Sequence, residues 1–124
     1  MQDPPRPADL VSLAADFLRS EILPQVKGAD GFQLRVAINA LDLAARQLRG
    51  EGDMDAAERA RLATLLGRDG SLEALNRGLC ERIASGAIDA GAPGLAEHLW
   101  ATTLDKLAVD QPNYASYRAE TARG

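Results

Sequence analysis

Leu and Ala crowd out the β-branched aliphatics in this chain: 18 Leu and 23 Ala stand against four Val and four Ile in 124 residues. That imbalance constrains the backbone more than any other feature. Leu and Ala lose little side-chain freedom in a helix, whereas Val and Ile are stiff there and favour strands. The composition therefore predicts an all-α fold, an antiparallel bundle of about five helices.

A chain of 124 residues has the length of one ordinary domain and can bury a core without staples. Residues 1–124 are accordingly read as a single helical domain, with a loose lead at 1–6 and a frayed tail at 115–124. The net charge of −4 and the aromatic content of 4% argue against nucleic acid as a partner. The segment MQDPPRPAD lacks the apolar core of a secretion signal, and no apolar run reaches the ~18 residues of a membrane span. These readings predict a cytoplasmic protein with no membrane association. The single cysteine, Cys80, lies in a helical apolar pattern with no His beside it in sequence. It is read as a small buried hydrophobe.

Spacing and breakers divide the chain into segments. A first helix starts at Pro7 and carries Leu10, Leu13, Ala14, Phe17, Leu18 and Ile22 on one face, ending before Pro24. A second, over about 31–49 with Asp30 as cap, is apolar over more than one stripe (Phe32, Val36, Ile38, Leu41, Leu43, Leu48) and is expected to be central. GEGD at 50–53 reads as a break, with Asp53 or Asp55 capping a third helix over 54–66 that stops at Gly67. A fourth covers 72–84, capped by Ser71 and closed by Gly86, with Leu72, Leu75, Leu79 and Ile83 as its stripe. The fifth covers 93–109, turning Leu95, Leu99, Leu104 and Leu107 inward, and ends before Pro112.

Two polar groupings stand out. Arg35, Asn39, Asp42 and Arg46 follow one another at spacings of 4, 3 and 4, which places them on one helix face. They form either a solvated stripe or the lining of a polar pocket against the fifth helix. There His98, Thr102 and Asp105 share a face, and Lys106 lies beside Asp105. With one His and no nucleophile elbow, the set is weak as catalytic machinery, and no metal-ligand spacing is present. No glycine pattern cradles a nucleotide. No catalytic residue, metal or cofactor is therefore assigned.

Three stretches carry a family resemblance: MQDPPRPADLVSLAADFL, ILPQVKGADGFQLRVAINALDLAARQL and HLWATTLDKLAVDQPNY. The chain resembles a small bacterial all-helical family of unknown function. Its Arg-Val-x-x-Asn-Ala segment is matched by Arg35, Val36, Asn39 and Ala40, and its closing motif by Leu104 to Leu107, Val109, Pro112 and Tyr114. Such proteins are encoded beside aminoglycoside-phosphotransferase-like kinases and acyl-CoA dehydrogenases. The resemblance implies an accessory role in acyl-CoA metabolism, with one of those enzymes as partner. Three readings are open, one of them a self-assembling structural domain. The first is a non-enzymatic, protein-binding domain that contacts its partner through Trp100, Tyr114 and Tyr117. The alternative is a binder of a small carboxylate or phosphate, or a cryptic enzyme, using Arg35, Asn39, Asp105 and Lys106.

Overall fold

The computed structural model describes residues 3–124, so Met1 and Gln2 of the expected loose lead lie outside the described residues. Those described form five α-helices and no strand: α1 (Pro7–Phe17), α2 (Gly28–Leu66), α3 (Leu72–Ala84), α4 (Leu95–Asp110) and α5 (Ala115–Thr121). The fold is all-α, as the Leu and Ala content predicts. No helix among the described residues is long and apolar enough to cross a membrane. The chain divides into two compact units, Met1–Gly50 and Glu51–Gly124, and α2 contributes residues to both.

The expected break at GEGD is absent. The second and third predicted helices are one helix, and Asp30, Asp53 and Asp55 lie inside it instead of capping it. Gly52 is not among the glycines with positive φ, so it takes part as an ordinary helical residue. A glycine costs a helix about 1 kcal/mol relative to Ala, but only proline removes a hydrogen bond as well. Flanked by the Ala, Leu, Arg and Glu of both neighbouring segments, that cost is too small to stop propagation.

The first unit is an antiparallel hairpin. Pro7 occupies the first turn of α1, where its missing N–H goes unused. After Phe17 the helix widens into a π turn at Leu18–Ile22, in which the Leu23 N–H donates five residues back to the Leu18 carbonyl. A 3-10 turn at Leu23–Gln25 contains Pro24 and ends the run. The chain reverses through Val26 and Gly28 (φ 65°). A Cβ on Gly31 would lie 2.7 Å from the Val26 carbonyl oxygen, so only glycine lets the turn fold back this closely. Arg49 donates to the Ser12 hydroxyl at 2.8 Å, and Arg19 pairs with Asp16 and Asp42. These links tie the middle of α1, and the π turn that follows it, to α2.

The hairpin buries small side chains and shows large ones. Ala8 and Ala15 of α1 are buried with Ile38 and Ala45 of α2. Leu10, Leu13 and Phe17, the stripe that the sequence marks, are 52%, 68% and 54% exposed. Phe32, Val36, Leu43 and Leu48 are exposed as well, so this part of α2 is not the doubly covered central helix expected from its composition. The reason lies in the phase of the buried residues. Gly31, Ile38 and Ala45 recur every seven positions and define the inner side, which turns Phe32, Val36 and Leu43 outward.

The second unit holds a leucine core: Leu62 and Leu66 of α2, Leu75 and Leu79 of α3, and Leu95 of α4, with Leu65, Leu72, Ile88 and Ala92 packed around it. Gly67 (φ 65°) stops α2, and the Ser71 hydroxyl caps α3 by accepting from the Ala74 N–H at 3.2 Å. Pro112 follows the end of α4, as expected. Three readings fail here. Cys80 is exposed, because the inward sector of α3 runs through Leu75, Gly78 and Leu79 and leaves position 80 outside it. Ile83, at the end of the predicted stripe, is 43% exposed. On α4 the inner stripe is Leu95, His98 and Val109, while Leu99 is 48% exposed and Leu104 and Leu107 are only partly buried. Residues Ala115–Thr121, read as part of a frayed tail, form α5.

Candidate functional site

The residues singled out by sequence are placed unevenly. In the first unit Arg35 is exposed and lines a cleft of about 410 Å³ with Arg19, Lys27 and Phe32. Asn39 is exposed, and Asp42 is held by Arg19. In the second unit Asp105 is partly buried and Lys106 exposed. Trp100 and Tyr114 are 54% and 50% exposed, and Tyr117 is partly buried.

Asp105 belongs to a polar grouping that the sequence revealed only in part. His98, Thr102 and Asp105 do share one side of α4. Their common neighbour is Arg61, from the part of α2 that carries Leu62 and Leu66. One terminal nitrogen of Arg61 lies 3.5 Å from both the Thr102 hydroxyl and an Asp105 carboxylate oxygen. These are long contacts that hold the guanidinium loosely. Glu58, one turn earlier on α2, accepts from the Asn76 amide at 2.9 Å. Sequence reading missed Arg61, Glu58 and Asn76 as members. The available signal was Arg61 standing beside Leu62 in a helix whose leucines face inward.

His98 is the buried polar residue of this unit, at 2% exposure. Its Nδ1 and the Nε of Arg61 are both buried without a hydrogen-bond partner. Such groups are rare in folded proteins, since each forgoes its hydrogen bonds to water. Burial holds the His98 imidazole below its ordinary value of 6.5, and the Arg61 charge acts the same way, while Glu58 opposes them. His98 is therefore neutral at pH 7. Arg61 and His98 line a cleft of about 300 Å³ with Thr64, Leu65, Pro93, Gly94 and Glu97. Gly94 (φ 84°) opens the cleft at the start of α4, where a left-handed residue bends the chain into the helix.

These features define an all-helical protein with two kinds of unfilled surface, an outward apolar stripe on each helix of a hairpin and a small cleft beside a leucine core. No group of three or more His, Cys, Asp or Glu able to hold a metal occurs among the described residues. The chain belongs to the DUF6285 family, a domain of unknown function, which it matches over residues 24–114. That stretch contains Arg35, Asn39, Arg61, His98 and the closing motif through Tyr114, while α1 precedes it. No curated protein and no solved structure matches the chain.

Proposed function

We propose that this protein is a non-enzymatic accessory protein that docks on a partner enzyme through the outward faces of its helical hairpin. The observation that carries this reading is the inversion of side-chain size in α1. Ala8 and Ala15 turn inward, and Leu10, Leu13 and Phe17 turn out. Full burial of one such side chain is worth about 1.5–3 kcal/mol, and each of these, half or more exposed, forgoes a large part of it. Apolar stripes on both helices of one hairpin are the mark of an interaction surface. Phe32, Val36 and Leu43 supply the second stripe.

The partner is an aminoglycoside-phosphotransferase-like kinase or an acyl-CoA dehydrogenase, and the setting is bacterial acyl-CoA metabolism. The family resemblance supports that choice through gene order. Trp100 and Tyr114 add exposed aromatic surface in the second unit. Co-expression with each enzyme in turn tests the reading. One of them is retained by the tagged protein at a fixed ratio, and Leu13→Asp or Phe32→Asp releases it with helix content unchanged. Retention of neither enzyme, or retention indifferent to both substitutions, would refute the proposal. So would light scattering that shows the stripes covered by a second copy of this chain.

A further inference from the structure

The cleft at the turn of the hairpin lacks the acid that lines the cleft beside His98. We propose that it binds a small phosphate monoester carrying an apolar group. It holds about 410 Å³, within the range of a small-molecule site. Its lining includes three cations, Arg19, Lys27 and Arg35, and no Asp or Glu. Arg19 is committed to Asp16 and Asp42. Lys27 and Arg35 are exposed, and neither makes an ion pair among the described residues. An entering anion therefore meets both charges directly and displaces no carboxylate to do so. Pro24 and Phe32 line the same cleft, and Phe32 is 64% exposed, so an apolar body has a surface to cover beside the charges.

The chain as a whole carries −4, so affinity for an anion has to come from a local excess of positive charge. A phosphate monoester carries about −1.5 to −2 near neutral pH, which matches the two cations that lack partners. A carboxylate brings only a single charge. Coulomb attraction acts over several ångströms, so the group need not touch both side chains at once. Asp30, in the first turn of α2, is exposed and stands outside the lining. Of the four residues that the sequence offers for a carboxylate or phosphate, Arg35 alone lines this cleft, and Asp105 and Lys106 belong to the second unit. Phe32 is shared with the apolar stripe of α2, but binding here needs no partner protein, so the site stands or falls apart from the docking reading.

Gly28 and Gly31 line the cleft, so their amide resonances report on it from its own backbone. On titration into the full-length protein at about pH 7.5, phenyl phosphate shifts both signals in a saturable manner. Inorganic phosphate lacks the apolar body and benzoate carries one charge, and each binds about fivefold more weakly or worse. Lys27→Gln and Arg35→Gln each weaken phenyl phosphate by about fivefold, the upper range for a surface charge contact. Arg82→Gln, which removes an exposed charge from α3, leaves the affinity unchanged. Neither Lys27 nor Arg35 has an ion-pair partner to lose, so both variants keep the helix content of the parent. Should either lose it, the three anions compared on the parent protein still decide. The absence of a saturable shift with phenyl phosphate overturns the proposal. So does equal or tighter binding of inorganic phosphate or benzoate, an affinity unchanged in both charge variants, or a loss on Arg82→Gln as large as theirs.

Discussion

Two leucines show how differently one residue type is used in this chain. Leu79 is 4% exposed within the leucine core, and Leu13 is 68% exposed on α1. Leu79→Ala should cost about 2–5 kcal/mol, the range for emptying a packed site. Leu13→Ala should cost no more than about 0.5 kcal/mol. Urea unfolding of the two variants measures both, and comparable losses would contradict the exposure of α1. Cys80 belongs to the same comparison. At about 100° per residue it sits about 140° around α3 from Leu75, beyond the buried sector. A thiol reagent should therefore label it in the native protein at close to the rate of a free peptide thiol. The sequence pattern that marks Leu79 as core is sound, but an apolar neighbour one residue on belongs to another side of the helix. His98 adds a pH dependence. Its folded value lies below 6.5 because of burial and the Arg61 charge, with Glu58 opposing. Well above 6.5 it is neutral in both folded and unfolded chains and adds no pH dependence. As pH falls from 6.5 towards the folded value, the unfolded chain takes up a proton that the folded chain resists, so stability declines. Between about pH 7.5 and about pH 5.5 the urea midpoint should fall further for the parent protein than for His98→Gln.

At the scale of elements, helix content was legible and helix boundaries only partly so. Pro7, Gly67, Ser71 and Pro112 act as the sequence indicates, because each has a local job: a spare N–H, a left-handed turn, a cap, a stop. GEGD misled because glycine permits a turn without requiring one. A Cβ on Gly52 would meet nothing within 4 Å, and its φ is not in the left-handed region. Gly52→Ala should accordingly stabilise the protein by about 0.5–1 kcal/mol, seen as a higher melting temperature. A drop in stability would mean that this stretch is not helical in solution. The stripe on α4 was half legible. Spacing groups His98, Thr102 and Asp105, yet the same spacing points Leu95, Leu99, Leu104 and Leu107 at the core, where only Leu95 is fully buried. Spacing places residues on one side of a helix, but it does not reveal that the opposing surface offers Arg61. Polar partners from distant parts of the chain leave no periodic trace, which is why the cleft emerged only from the fold.

At the scale of the whole molecule, the two units differ in what they bury. The unit at Glu51–Gly124 has Leu62, Leu66, Leu75, Leu79 and Leu95 in its core, whereas the buried apolar side chains described in the other are Ala8, Ala15, Ile38 and Ala45. Burial scales with apolar area, so the first set contributes far more. A fragment of residues 51–124 should unfold cooperatively when followed by circular dichroism, and a fragment of residues 1–50 should show little helix on its own. The opposite ranking would reverse this assignment of stability. Hydrogen exchange in the intact protein should likewise be faster in α1 than in α3, since lightly packed segments open at low free energy. The small-inside, large-outside hairpin then has a consequence for turnover. A segment that opens readily and displays Leu13 and Phe17 is a substrate for cellular proteases until something covers it. The lifetime of the chain would then follow the supply of its partner, and surplus copies would be removed without any dedicated control of their synthesis.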